Sequence, residues 1–187
     1  MENGHAPARP RALLPLIVFS QFAGTSLWFA GNVAAADLPG GLHPAWLASA
    51  VQLGFVAGTL ASARLRLADR HNPATLFLAC CLAGALCNYP LAALAQLLLQ
   101  EHAGPVHMLL RLLVGAALAG IYPVGIKIAA SWYGQGLGMA LGYLTGALVL
   151  GTAFPHLVQG LGAALGWHAV LGASSALAVL GGLALRA

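Results

Sequence analysis

Residues Arg111–Tyr133 read RLLVGAALAGIYPVGIKIAASWY and lie within an apolar segment that begins near Gly104. A helix of this length is long enough to cross a bilayer. Arg111 lies inside the segment, where a guanidinium costs at least about 2.5–3.5 kcal/mol on insertion scales, so such a residue normally faces a bundle interior or an aqueous cavity. We therefore predict a membrane helix that lines a solute pathway. It should bend at Pro123, because proline has no amide hydrogen to donate.

One face of this helix is polar at its start and carries little side-chain bulk further on. Its members follow the helical repeat: His107, Arg111, Gly115, Leu118, Tyr122 and Gly125. We predict that Arg111 anchors a solute and that Tyr122 helps to bind it. The alternative is an Arg111 side chain that snorkels to the external interface. His107 and His156 are candidates for proton coupling, because histidine titrates near physiological pH, or else are hydrogen-bonded structural residues.

Composition assigns the chain to the polytopic membrane proteins. Of the 187 residues, 60% are hydrophobic and 6% are charged, with a mean hydropathy of +0.85, which excludes an ordinary soluble domain. No basic cluster is interleaved with aromatic residues, so nucleic acid is not an expected partner. Cys80, Cys81 and Cys87 share one apolar run and predict buried small side chains, not a disulfide framework or a metal site.

Six apolar runs predict an all-α membrane protein with a single six-helix domain over residues 13–187, after a cytoplasmic tail at 1–12. The helices are expected at about 13–36, 45–67, 73–99, 105–133, 137–159 and 164–185. The first run is longer than the apolar region of a signal peptide, so we predict that it is retained as a span. Lysine and arginine are absent from the loops after helices 1, 3 and 5. The positive-inside rule then predicts cytoplasmic termini, in a bacterial-type inner membrane.

Helices 1 and 5 carry patterned faces. A polar stripe on helix 1 recurs at i, i+4, i+7 and i+11: Gln21, Thr25, Trp28 and Asn32. Such a stripe indicates either hydrogen bonds between packed helices or the wall of a solute cavity. We predict a substrate-binding wall, to which Thr145 of helix 5 also contributes. On helix 5 a ladder of small residues predicts a close-packing face: Gly138, Gly142 and Gly146.

Three segments together resemble the amino-terminal six-helix half of a major facilitator superfamily transporter. Residues 54–70, GFVAGTLASARLRLADR, are similar to the signature loop between helices 2 and 3, which ends in an Asp-Arg pair, here Asp69-Arg70. The family's usual continuation is replaced by residues 71–73, His-Asn-Pro. Arg111 followed by Gly115 matches the pattern of the fourth helix.

The fifth helix resembles the antiporter signature only in part. Gly142 and Gly146 are followed by Gly151, but Ala147 stands where that signature has proline. The sequence therefore does not indicate export.

The resemblance implies a secondary transporter, without a cofactor, that moves a small anionic or polar solute by alternating access, with proton coupling open. The family has two such halves, so the pathway would lie between two copies in a homodimer, or between this chain and a second half-transporter chain; a fragment of a longer protein is the third alternative. Asp69 and Arg70 would gate the cytoplasmic side, with Asp69 at the start of the partner's helix 5. The alternative is local pairing of Asp69 with Arg66 or Arg70.

Other function classes are less well supported by the residues. A channel or accessory subunit without its own transport cycle remains open. His102, His107 and Met108 suggest transport of a soft metal ion such as copper, but no resident metal site is expected. An enzyme is not expected, because the chain has no Gly-x-Ser-x-Gly elbow and no His-Glu-x-x-His motif.

Overall fold

The computed structural model describes residues 12–35, 37–38, 43–161 and 166–187. Apart from Ala12, the predicted cytoplasmic tail lies outside the described residues, as do residues 39–42 of the first loop predicted to be external. The described chain is helical throughout its six spans and contains no strand. The prediction of an all-α fold with six helices that could cross a membrane is confirmed.

Three of the six spans consist of two helices each. The described residues form these α-helices: α1 Leu13–Thr25, α2 Leu27–Ala34, α3 Pro44–Leu65, α4 Leu67–Arg70, α5 Pro73–Asn88, α6 Pro90–Leu99, α7 Gly104–Leu118, α8 Tyr122–Trp132, α9 Leu137–Leu161 and α10 Gly166–Arg186. The first span is α1 with α2, the third is α5 with α6, and the fourth is α7 with α8. Helices α3, α9 and α10 are the second, fifth and sixth spans, and α4 lies in the loop after α3.

The break in the fourth span lies just before Pro123. The backbone amides of Gly120 and Ile121 donate to the carbonyls of Ala117 and Leu118, three residues earlier, and α8 begins at the next residue. Proline is tolerated in a first helical turn, where its missing amide hydrogen is not needed. The helix is therefore interrupted where the sequence predicts a bend, and the interruption divides the single face predicted for helix 4 between α7 and α8.

Glycine brings α3 and α7 into backbone contact. A Cβ on Gly54 would overlap the backbone of Leu112, and a Cβ on Gly115 would overlap the backbone of Val51 and Phe55. Among the described residues these two helices form the most extensive helix pair. Small residues at such crossings let membrane helices approach closely enough to gain van der Waals contact.

The first and fourth spans form the centre of the bundle. Helix α1 packs against α9 and α10, α2 contacts α3 and α9, and α7 packs against α3 and α5. In the most apolar stretch of each span, 56% of the first and 61% of the fourth is buried, but only 22% of the second and of the fifth. Helices α3 and α9 therefore flank an open face on this centre, while α5 and α10 pack together elsewhere on the bundle.

The glycine ladder of α9 does not pack inside this chain. No atom of another described helix lies within 4 Å of a Cβ placed on Gly138, Gly142 or Gly146. The buried side of α9 is a different one, formed by Ala140, Leu144, Ala147, Gly151 and Pro155. The prediction of a close-packing ladder is therefore wrong within the chain, because α9 is rotated so that no described helix contacts the ladder, and Gly142 and Gly146 line an open groove beside α1.

Candidate functional site

Arg111 points into the bundle. Its side chain is 4% exposed, its Nη2 donates to Oδ1 of Asn88, and its Nη1 donates to the carbonyl of Leu27 at 3.4 Å. The guanidinium lies directly on Gly31, where a Cβ would overlap it. Arg111 therefore faces the bundle interior, which agrees with the first of the two predictions from the sequence. Its side chain does not snorkel to the membrane interface.

Asn88 connects Arg111 to the sixth span. Its Nδ2 donates to the carbonyl of Leu171 at 3.0 Å and to Oγ of Ser175 at 2.9 Å. The hydroxyl of Ser175 in turn donates to the carbonyl of Ala85 at 3.2 Å. Sequence reasoning missed Asn88 and Ser175, although a fully buried asparagine within an apolar run is itself a signal of an interhelical hydrogen bond.

A small cavity of about 10 Å³ lies beside this network, which is about the volume that holds one water molecule. Three polar residues contribute to its wall, namely Asn88, His107 and Arg111, and the remaining lining residues carry no charge. His107 is 4% exposed, and its Nε2 lies 3.4 Å from Oε1 of Gln96. In this conformation the space beside Arg111 is too small for an organic solute.

The first half of the polar stripe on the first span is interior. Gln21 and Thr25 are both fully buried, and the Thr25 hydroxyl donates to the carbonyl of Gln21 at 2.8 Å. The side chain of Gln21 packs against Gly125, and its amide nitrogen and oxygen have no hydrogen-bond partner among the described residues. These two residues do not line an open cavity in this conformation, because the neighbouring spans cover them.

The second half of the stripe lies nearer the open face. Trp28 and Asn32 are half-buried, and the ring of Trp28 lies 4.8 Å from that of Phe55 in α3. The Nδ2 of Asn32 donates to the carbonyl of Pro44 at 3.0 Å. Trp28 Nε1 and Asn32 Oδ1 have no hydrogen-bond partner among the described residues. The structure therefore divides the predicted stripe into a fully buried half and a partly exposed half, and each half contains polar atoms without a partner among the described residues.

The remaining predicted site residues lie on the fourth and fifth spans. Thr145 and His156 are exposed on α9, about three helical turns apart and on one flank of that helix. Tyr122, at the start of α8, is half-buried. The exposed His156 and the buried His107 are in different environments, so the structure does not join the two proton-coupling candidates into one group.

Asp69 pairs with Lys127 on the fourth span. The Nζ of Lys127 donates to the carboxylate of Asp69 and, at 2.6 Å, to the carbonyl of Ala68. The hydrogen bond and the charge of Lys127, with a smaller contribution from Arg66, lower the pKa of the Asp69 carboxyl below its usual value. Sequence reasoning missed this partner: the local alternative named Arg66 or Arg70, whereas the ion pair is formed with the only lysine of the chain.

The predicted metal ligands do not form a site among the residues that the structure describes. His102 is exposed, whereas His107 is buried beside Gln96. No group of three or more histidine, cysteine, aspartate or glutamate side chains that could hold a metal ion occurs in this part of the chain. The observed contacts of His107 therefore give no support to a soft-metal pathway.

Comparison with known protein families identifies the chain. The family model described as Major Facilitator Superfamily matches residues 13–187, which include all six spans. Comparisons with curated proteins and with solved structures give no match. Because the family match extends over nearly the whole chain and six spans make up one half of a transporter of this type, this chain belongs to the Major Facilitator Superfamily.

Proposed function

We propose that this transporter of the major facilitator type works as a half-size unit that moves a small anionic or polar solute by alternating access. A second copy of the chain supplies the other half, and the solute passes between the two. Because the two halves of this fold are related by an axis along the membrane normal, two copies inserted in the same direction can form the pair.

The observation that carries the proposal is the open face between α3 and α9. These two spans are the least buried, yet Gln52 on α3 and Thr145 and His156 on α9 are polar and exposed. Trp28 and Asn32, half-buried in the central span between them, each have one buried hydrogen-bonding atom without a partner among the described residues. Polar groups that face lipid cost free energy, so a second half that encloses them around an aqueous pathway is favoured.

The charge of Arg111 supports an anionic solute. Its guanidinium packs on Gly31 in α2, the helix that also carries Trp28 and Asn32, and its hydrogen-bond partners are neutral. A positive charge behind the wall of the pathway attracts negative charge through a medium of low dielectric constant. In this conformation α2 lies between Arg111 and the solute, so the charge attracts the solute without contact. Direct contact requires that α2 moves.

Thiol labelling tests the pathway without knowledge of the solute. In a background without Cys80, Cys81 and Cys87, we expect a membrane-impermeant charged thiol reagent to modify Thr145→Cys. Leu150→Cys is the matched control, because Leu150 is also exposed on α9 but lies in an apolar groove with Phe19 and Phe22 of α1. The control is expected to stay unlabelled in the bilayer. Equal labelling of the two positions, or none at Thr145→Cys, contradicts the proposal.

The same experiment separates a transporter from a channel. Alternating access exposes the site to one side of the membrane at a time, so trapping one conformation removes labelling from the opposite side. A channel would admit the reagent to Thr145→Cys from both sides without such an exclusion.

The topology is part of the proposal: both termini are cytoplasmic, in an inner membrane of bacterial type. His43 directly precedes the second span, and His71 directly follows α4 in the loop after that span. Both residues are exposed. In cells, the reagent is expected to modify His43→Cys from outside, and His71→Cys only after permeabilisation. The reverse pattern would show that the chain is inserted in the opposite direction.

Asp69 and Arg70 are proposed to gate the cytoplasmic side. Asp69 pairs with Lys127 within one copy. In the proposed dimer, the exposed turn before α9 offers backbone amides to a carboxylate of the second copy. We expect Arg70→Cys with Gln135→Cys to form an intermolecular disulfide that Asp69→Asn weakens. His43→Cys with Gln135→Cys, at opposite ends of the bundle, is the control pair. An absent or purely intramolecular product would show that the brace between copies does not exist.

A further inference from the structure

We propose that the cavity beside Arg111 binds a monatomic anion, of which chloride is the most abundant, as a counter-ion inside the half bundle. The site shares Arg111 with the proposed pathway and takes its direction of exchange from the proposed topology, but its test uses neither solute nor transport. Its elements are a buried guanidinium, an adjoining small cavity, and the absence of a carboxylate from the cavity wall.

The hydrogen bonds of Arg111 leave it with unused capacity. A guanidinium has five N–H donors, and among the described residues only two acceptors are found, Oδ1 of Asn88 and the carbonyl of Leu27. Both acceptors are neutral, so they bind the donors without cancelling the charge. A buried charge without a counter-charge is costly in the interior of a membrane protein.

The protein offers no described carboxylate to neutralise this charge. Asp69 pairs with Lys127, and Asp37 is exposed on the first external loop and does not line the cavity. The other lining residues are apolar or neutral, including Leu38 and Leu47. Because no described carboxylate neutralises Arg111, we infer that a bound anion supplies the negative charge.

The size of the cavity selects the class of ion. Its volume of about 10 Å³ corresponds to roughly one water-sized guest. A halide ion fits into such a space, whereas sulfate, gluconate and organic carboxylates do not. The lining residues Leu38 and His107 lie next to the two external ends of their spans in the proposed topology, so the ion exchanges with the external side.

Thermal unfolding of the purified full chain in detergent tests the site. A ligand that binds only the folded state raises the unfolding midpoint and saturates. When sodium chloride replaces sodium gluconate at constant ionic strength, we expect a saturable rise, reproduced by bromide and not by sulfate. The ³⁵Cl resonance of free chloride should broaden in parallel, because the ion exchanges with a protein site.

Two variants localise the effect, and a third variant serves as the control. Arg111→Gln removes the charge, and Asn88→Asp keeps the arginine and the side-chain size while supplying a carboxylate in place of the ion. Both are expected to lose the chloride-dependent rise and the line broadening. Arg186→Gln removes an exposed arginine at the end of α10 and should retain both.

Each outcome of these experiments either supports or overturns the proposal. If Arg111→Gln yields no folded protein, Asn88→Asp decides the question by itself. A wild-type midpoint that is equal in chloride and gluconate, a rise that never saturates, or a saturable effect that survives in Asn88→Asp overturns the proposal.

Discussion

Replacing Gly115 with alanine is expected to cost about 3 kcal/mol of unfolding free energy, at the upper end of the usual range for overpacking. The added methyl group would meet the carbonyl oxygen of Val51 and the amide nitrogen of Phe55. Both are backbone atoms of a packed helix and cannot move aside as a flexible side chain can. The new contact can therefore be relieved only if α3 separates from α7, which breaks the most extensive helix pair among the described residues.

The matched control is Gly142→Ala on α9, where no atom of another described helix lies near the new methyl group. Alanine is the better helix former by about 1 kcal/mol, so this variant should be neutral or slightly more stable when monomeric. Denaturant titration in detergent, followed by circular dichroism, measures both variants. Equal effects of the two substitutions would mean that α3 and α7 are not held together at Gly115.

Arg111 and Asn88 are expected to be energetically coupled. Asn88→Leu leaves the guanidinium with a single described acceptor and should cost about 3 kcal/mol, as expected when a buried charge loses a hydrogen-bond partner. Arg111→Met removes the charge but leaves the Asn88 oxygen unpaired, at about 1–3 kcal/mol. The double variant should lose less than the sum of the two, by about 1 kcal/mol or more, because neither unpaired group remains.

Gln96→Leu combined with Arg111→Met is the control for this cycle. Gln96 contacts His107 and not Arg111, so its effect should add to that of Arg111→Met within about 0.5 kcal/mol. The same unfolding titration gives all the required free energies. Additivity in the Arg111 and Asn88 cycle would show that the hydrogen bond between them contributes nothing to stability.

The contrast between Gly115 and the ladder on α9 explains what a sequence reveals about helix packing. Gly54 and Gly58 on α3 have the same four-residue spacing as the ladder on α9, a spacing that brings helices together. Gly54 packs against the backbone of α7 and Gly115 against that of α3, while Gly142 and Gly146 face open space. In a bilayer the lipid is as apolar as the protein interior, so hydrophobic periodicity does not reveal which side of a helix points inwards.

The ion pair between Asp69 and Lys127 shows the same limit of prediction from sequence. The distribution of basic residues predicts that Asp69 and Lys127 lie on the same side of the membrane. It does not predict that they pair, because the two residues are far apart in the chain. Helical spacing correctly grouped Gln21 with Thr25, and it could not indicate that the fifth span covers Thr25 at Gly151. Contacts of this kind depend on how each helix is rotated and placed against its neighbours.

The sequence by itself determined the all-α membrane class, the six spans and the family resemblance. Long apolar runs have one stable solution in lipid, since every backbone polar group must be bonded within a helix. Tertiary structure alone decided that Arg111 is held by Asn88 beside a cavity, that half of the polar stripe is buried, and that α3 and α9 flank an open face. The reason is that a helix repeat specifies which residues share a face, whereas only the packed bundle assigns that face a neighbour.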